Sequence, residues 1–153
     1  MDRSHVISRV FRKITILAIV AVIFLVVMSL TAFRPDSLGV SNGRLAPLPD
    51  SPNCVSSQTE DSNRKMAALQ IDDPRPLEKL KSVIAEQFPR ATLITSEDNY
   101  LHYEFSSLLF RFVDDVELFA DGQTVHFRSA SRVGYSDMGA NRKRIQRIRS
   151  LVE

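Results

Sequence analysis

Two runs, LFRFVDDVELF at Leu109–Phe119 and QTVHFRSASRV at Gln123–Val133, decide the fold of this 153-residue chain. Between them lie Ala120 and Asp121-Gly122, a dipeptide favoured in the tight turns of β-hairpins because glycine accepts a positive φ. With Asp121-Gly122 as a two-residue turn, Leu118 faces Val125, Val116 faces Phe127 and Asp114 faces Ser129 on one side of the ribbon. The other side then sets Asp115 opposite Arg128 and Glu117 opposite His126, as exposed pairs that contribute tenths of a kcal/mol each, up to about 1.

Working outward, Ala91–Ser96 and Tyr100–Ser106 carry β-branched and aromatic residues around Glu97-Asp98-Asn99, which predicts a second hairpin. Before it, Leu77, Leu80, Val83, Ile84 and Phe88 recur at helical spacing, with Asp73 near the start and Pro89 at the stop. After the long ribbon, Met138, Ile145, Ile148 and Val152 restore that period, with Asp137 placed as N-cap. The fold class is therefore α+β: an antiparallel sheet of about four strands, with two amphipathic helices covering its apolar face.

The N-terminal part has a different character. Ile14–Phe33 holds no charge and matches the roughly 20 residues a helix needs to cross hydrocarbon. A signal peptide is the rival reading, but its apolar core is usually only about 7–15 residues and no clean small-residue cleavage site follows. Arg3, Arg9, Arg12 and Lys13 precede the span and Arg34 alone directly follows it, so the positive-inside rule expects a single pass with residues 1–13 in the cytoplasm. Residues 34–52, dense in Pro, Gly, Ser and Asn, read as an extended linker, and residues 53–153 as a globular domain outside the cytoplasm, in a bacterium the periplasm. The net charge of +2, from 20 basic and 18 acidic residues, gives no field suited to nucleic acid.

Chemistry-bearing residues are few. Asp114, Asp115 and Glu117 crowd in sequence, but strand alternation points Asp114 away from the other two, so no metal site is expected, nor any cofactor. Asp114 lies on the apolar face, where a carboxylate costs several kcal/mol unless partnered. Ser129 and Ser131 share that face and Asn141 lies on the inward stripe of the last helix. The four form a candidate cluster, read either as a small pocket or as a hydrogen-bond network fixing register. Cys54, the one cysteine, is either a buried small residue or a reactive thiol. Arg142, Arg144 and Arg147 on the last helix form either a solvated face or a docking surface for an envelope protein or anionic lipid.

Three segments carry a resemblance: Asn53-Cys54-Val55-Ser56-Ser57, Phe112-Val113-Asp114-Asp115-Val116-Glu117, and the polar run Arg128 to Arg142. In this order they resemble the family called domain of unknown function 1499, over roughly Arg34 to the C-terminus. That family has no established activity, so the resemblance implies a folding unit rather than a mechanism, and makes Cys54 part of the domain. Residues and resemblance together lead to the expectation of a non-enzymatic binding or interaction module held at the membrane. The alternative is an envelope hydrolase or thiol-dependent enzyme using Cys54 or the Asp114, Ser129 and Asn141 cluster.

Overall fold

A computed structural model describes the chain from Arg3 to Glu153, with side chains from Ile7 onward. Residues 1–2 of the stretch expected in the cytoplasm, and the Arg3 side chain, lie outside the described residues. Helix α1 runs from Arg3 to Leu30, and its segment Ile7–Leu30 is apolar, unburied and 24 residues long. At 1.5 Å per residue this reaches roughly 36 Å, enough to cross a bilayer core. The helix ends a few residues before Phe33: the Thr31 N–H makes a last helical bond to the Val27 carbonyl, the Ala32 N–H tightens to that of Ser29, and the chain leaves the helix ahead of Pro35.

The expected four-stranded antiparallel meander is present: β5 (Ala91–Ser96), β6 (Tyr100–Ser106), β7 (Val113–Asp121) and β8 (Thr124–Ser131), in that spatial order. Two short strands extend the sheet to six. β3 (Cys54–Ser56) and β4 (Leu69–Gln70) both pair antiparallel with the outer edge of β8, β3 on its C-terminal half and β4 on its N-terminal half. Helices α2 (Pro76–Gln87) and α3 (Ala140–Val152) cover one face. Leu77, Leu80 and Ile84 meet Ile145, Ile148 and Val152 over Leu101, Val116, Leu118, Val125 and Phe127, forming the main core. Pro76 opens α2, where its missing N–H is harmless, and Phe88 closes it just before Pro89.

The β7–β8 register differs from the expected one. Asp121 pairs with Thr124, so Gly122 and Gln123 form the loop, and of these only Gly122 has a positive φ, 60°. That is the pattern of a II′ rather than a I′ turn. Leu118 consequently faces Phe127, Val116 faces Ser129, Asp114 faces Ser131 and Glu117 faces Arg128. Because the slip is an even number of residues, every side chain keeps its assigned face.

Residues 34–52 correct a larger expectation. They are a folded strap across the second face of the sheet, not an extended linker. β1 (Val40–Ser41) and β2 (Arg44–Leu45) pair around Asn42-Gly43, both at positive φ, which is a I′ hairpin. Leu45 seats on Tyr100 and Phe119 in a small second core. Gln58 holds the hairpin, accepting from the Leu45 N–H at 2.8 Å and donating to the Gly43 carbonyl at 3.1 Å.

Candidate functional site

Beneath α3 the structure brings together all four residues of the sequence-derived cluster. Asn141 is fully buried. Its Oδ1 accepts from Ser129 Oγ at 2.5 Å, and its Nδ2 donates to Ser131 Oγ at 3.0 Å and to the Asn53 carbonyl at 2.8 Å. The partner that Asp114 requires is Arg144, whose guanidinium pairs with the carboxylate, donates to Ser129 Oγ at 3.1 Å and to Asn141 Oδ1 at 2.6 Å, and stacks 4.7 Å over the Phe105 ring. Arg144 lies one helical turn from Asn141, on the same inward stripe. The helix start is fixed nearby: Asp137 Oδ1 accepts from the Gly139 N–H at 3.0 Å and Oδ2 from the Asn141 N–H at 2.7 Å, with Gly139 itself in the cap position at φ 78°. Burial would raise the Asp137 pKa, but those N–H donors hold it below its ordinary value.

The three arginines grouped by sequence therefore separate. Arg144 is engaged by Asp114, and Arg142 donates to the Asn63 carbonyl at 2.7 Å, tying α3 to the loop after β3. Arg147 stays exposed, 4.8 Å over the Phe88 ring. It lines an open groove of about 370 Å³ with Arg90, Lys143, Arg144, Phe88 and Phe105, and with Ser106 and Ser107 at one end. Asp114 is the groove's one carboxylate and Arg144 neutralises it. Among the described residues, Arg90, Lys143 and Arg147 have no carboxylate within ion-pair distance.

The second face holds a network that the sequence reading placed in solvent. Glu117 is 0% exposed; its Oε1 accepts from the Tyr100 hydroxyl at 3.0 Å and from the strap's Gly39 N–H at 2.7 Å, and its Oε2 from Arg128 at 3.1 Å. Arg128 in turn donates to the Pro47 carbonyl at 3.3 Å. Alongside, Asp115 lies 2.8 Å from His102 Nε2 and receives two bonds from Arg132, which also reaches Glu104 at 2.5 Å, and Glu104 binds Arg34 at the start of the strap. Burial opposes the charge on Asp115, yet Arg132 and His102 together hold its pKa below the ordinary 3.8. Burial, then the neighbouring Glu117, pushes the Tyr100 hydroxyl up. These are not surface pairs worth tenths of a kcal/mol but buried ones whose separate breakage is costly. The one residue of the four expected in surface pairs that keeps part of that role is His126, which is half-buried, stacks on Phe119 and lies 3.3 Å from Ser57 Oγ.

Cys54 sits at the edge strand, 2% exposed, its thiol donating to the Ser51 carbonyl at 3.2 Å with Arg64 at 3.6 Å. Burial raises the thiol pKa and outweighs the lowering by Arg64 and Arg128, while Asp137 adds to the rise. A nucleophilic cysteine requires the opposite environment. Among the described residues no three of His, Cys, Asp and Glu gather as a metal-binding group, and Asp114 and Asp115 point to opposite faces. Among the described residues every buried side-chain nitrogen and oxygen is hydrogen-bonded, which is what a register-fixing network needs.

No curated protein and no solved structure matches the chain. A family model does, from the second strand of the strap to the last residue of α3, and so takes in the Asn53–Cys54 edge, the Asn141 cluster, the groove, and the second-face network apart from Arg34 and Gly39. By that match over residues 44–152, the chain belongs to the family described as protein of unknown function (DUF1499).

Proposed function

We propose that this protein is a membrane-anchored, non-enzymatic binding module, its folded part held outside the cytoplasm by α1, and that the groove between α3 and the end of α2 holds an anionic group of its partner. The observation carrying this reading is the groove itself. Three cations without an ion-pair partner surround an aromatic floor of Phe88 and Phe105, and the one carboxylate there, Asp114, is taken up by Arg144, an arrangement suited to phosphate or carboxylate. By contrast, Cys54, Asp114, Asp115 and Glu117 are each engaged in internal bonds that hold the fold. The length and apolarity of α1 support the anchor, and Arg9, Arg12 and Lys13 near its start support the orientation.

Two measurements test it. A reporter enzyme fused after Glu153 is expected to be active only when its chemistry requires an extracytoplasmic position; activity of a cytoplasm-dependent reporter refutes the orientation. The triple variant Arg90→Glu, Lys143→Glu, Arg147→Glu changes only exposed side chains, and on purification from solubilised native membranes it is expected to lose the anionic molecule that accompanies the wild type. Equal recovery in both eliminates the groove as the binding site.

A further inference from the structure

The folded part is polarised end to end. The chain leaves α1 at Leu30 and is tied to the sheet at Arg34, whose guanidinium binds Glu104 near the C-terminal end of β6. Four residues reach at most roughly 14 Å, so this end of the sheet lies close to the end of α1 whatever direction the helix takes. At the same end the β6–β7 connection and the β8–α3 loop leave the sheet. They carry the four most exposed large apolar side chains beyond Phe33: Leu108 at 72%, Leu109 at 81%, Tyr135 at 79% and Met138 at 89%. Elsewhere beyond Phe33 no large apolar side chain is more than 43% exposed. The anion groove opens here too, adding the exposed Arg90 and Lys143. The opposite end is acidic and lacks such tips, with Asp98 in the β5–β6 turn, Asp121 in the β7–β8 turn, and Asp72 before α2.

Loop tips that expose leucine, methionine and tyrosine beside arginine and lysine have the composition of segments that enter the headgroup layer, where acyl chains and anionic phosphates are both in reach. We infer that this end of the domain docks on the bilayer that α1 enters. Leu108, Leu109, Tyr135 and Met138 insert about 5–10 Å into the interface, and the groove faces the headgroups. The inference rests on the proposed anchoring and names the groove's ligand, the phosphate of an anionic lipid. The strap favours this pose: its tie from Arg34 to Glu104, two residues from the end of β6, leaves only Thr31–Phe33 between α1 and the fold.

The chain contains no tryptophan, so a single introduced indole reports its own surroundings. In the full chain reconstituted in phosphatidylcholine vesicles containing phosphatidylglycerol, Leu108→Trp and Met138→Trp are expected to emit at short wavelength and to lose most of their intensity when the acyl chains are brominated. Asp98→Trp, at the far end, is expected to emit as a solvated indole and resist quenching. Adding Arg90→Glu and Lys143→Glu to Leu108→Trp is expected to lower the quenching to that in vesicles of phosphatidylcholine alone. If the protein floats with the vesicles while Leu108→Trp and Met138→Trp behave like Asp98→Trp, docking is overturned and the anchor stands. If the protein does not float with vesicles, the anchored reading itself fails. A blue shift without quenching that grows with protein per vesicle identifies a second copy as the occupant and also overturns the inference.

Discussion

Replacing Glu117 with Gln isolates the charge in the buried network with almost no change of shape. The amide keeps an oxygen for the Gly39 N–H and the Tyr100 hydroxyl, but turns an N–H₂ donor towards Arg128, which is itself a donor. With side chains exposed by 0% and 6%, the pair is wholly inside the protein. Removing one partner of such a pair leaves an uncompensated ion and costs about 3–5 kcal/mol, a large part of the 5–15 kcal/mol or so that holds a typical domain together. Were the pair exposed, the loss would be about 0.2–1 kcal/mol and would fade in salt. Urea unfolding of the detergent-solubilised chain, followed through near-ultraviolet circular dichroism of its three tyrosines, separates the two cases. The cost should persist at high salt, and Glu117→Gln with Arg128→Met should recover much of it, since no lone charge then remains. A cost below about 1 kcal/mol, or a double variant as unstable as the sum of the singles, would refute the buried-network account.

Three other outcomes follow from the same geometry. Asn141→Leu removes the shared partner of Ser129, Ser131, Arg144 and the Asn53 carbonyl, and at about 1–3 kcal/mol per stranded buried group should lower the unfolding midpoint more than the exposed Gln146→Leu on the same helix; equal effects would deny the cluster its role. Asp115 and Glu104 have folded-state pKa values held below their ordinary 3.8 and 4.5 by Arg132, against the opposing effect of burial. Their stabilisation is therefore complete above those ordinary values and is lost as pH falls through the depressed ones, so unfolding midpoints should hold steady from neutral pH to near 4.5 and fall below it, with Asp115→Asn flattening the fall; an unchanged slope in that variant would remove Asp115 as its source. Cys54 should resist maleimide in the native chain and react fully in denaturant, and rapid native labelling would reopen the thiol reading.

Much of this was legible in the sequence. The helical periods of α2 and α3 and the alternation in β5 to β8 come from side-chain burial, which recurs with the geometry of each element. Faces survived the register error because a slip of two residues preserves parity. The cluster at Asp114, Ser129, Ser131 and Asn141 follows from the same alternation, although Arg144, whose spacing from Asn141 marks it as inward, belongs with that cluster rather than with Arg142 and Arg147. The second face was illegible for a physical reason. A row of charges alternating with apolar residues looks the same in solvent or under a cover, and the cover attaches through the Gly39 N–H and the Pro47 carbonyl, backbone groups that every residue has. Only Asn42-Gly43 announced structure within residues 34–52, as a dipeptide typical of I′ turns.

The strap also bears on the order in which the chain can finish folding. Gly39 emerges during synthesis well before Glu117, 78 residues further on, so the segment next to α1 must wait undocked until the central strands exist. The surface it will cover is mostly Glu117, Asp115, His102 and Arg128, with Tyr100 and Phe119 as its apolar part. A half-made domain therefore presents water mostly with charges it can solvate, and the last step of assembly leaves little apolar surface to be captured by its neighbours.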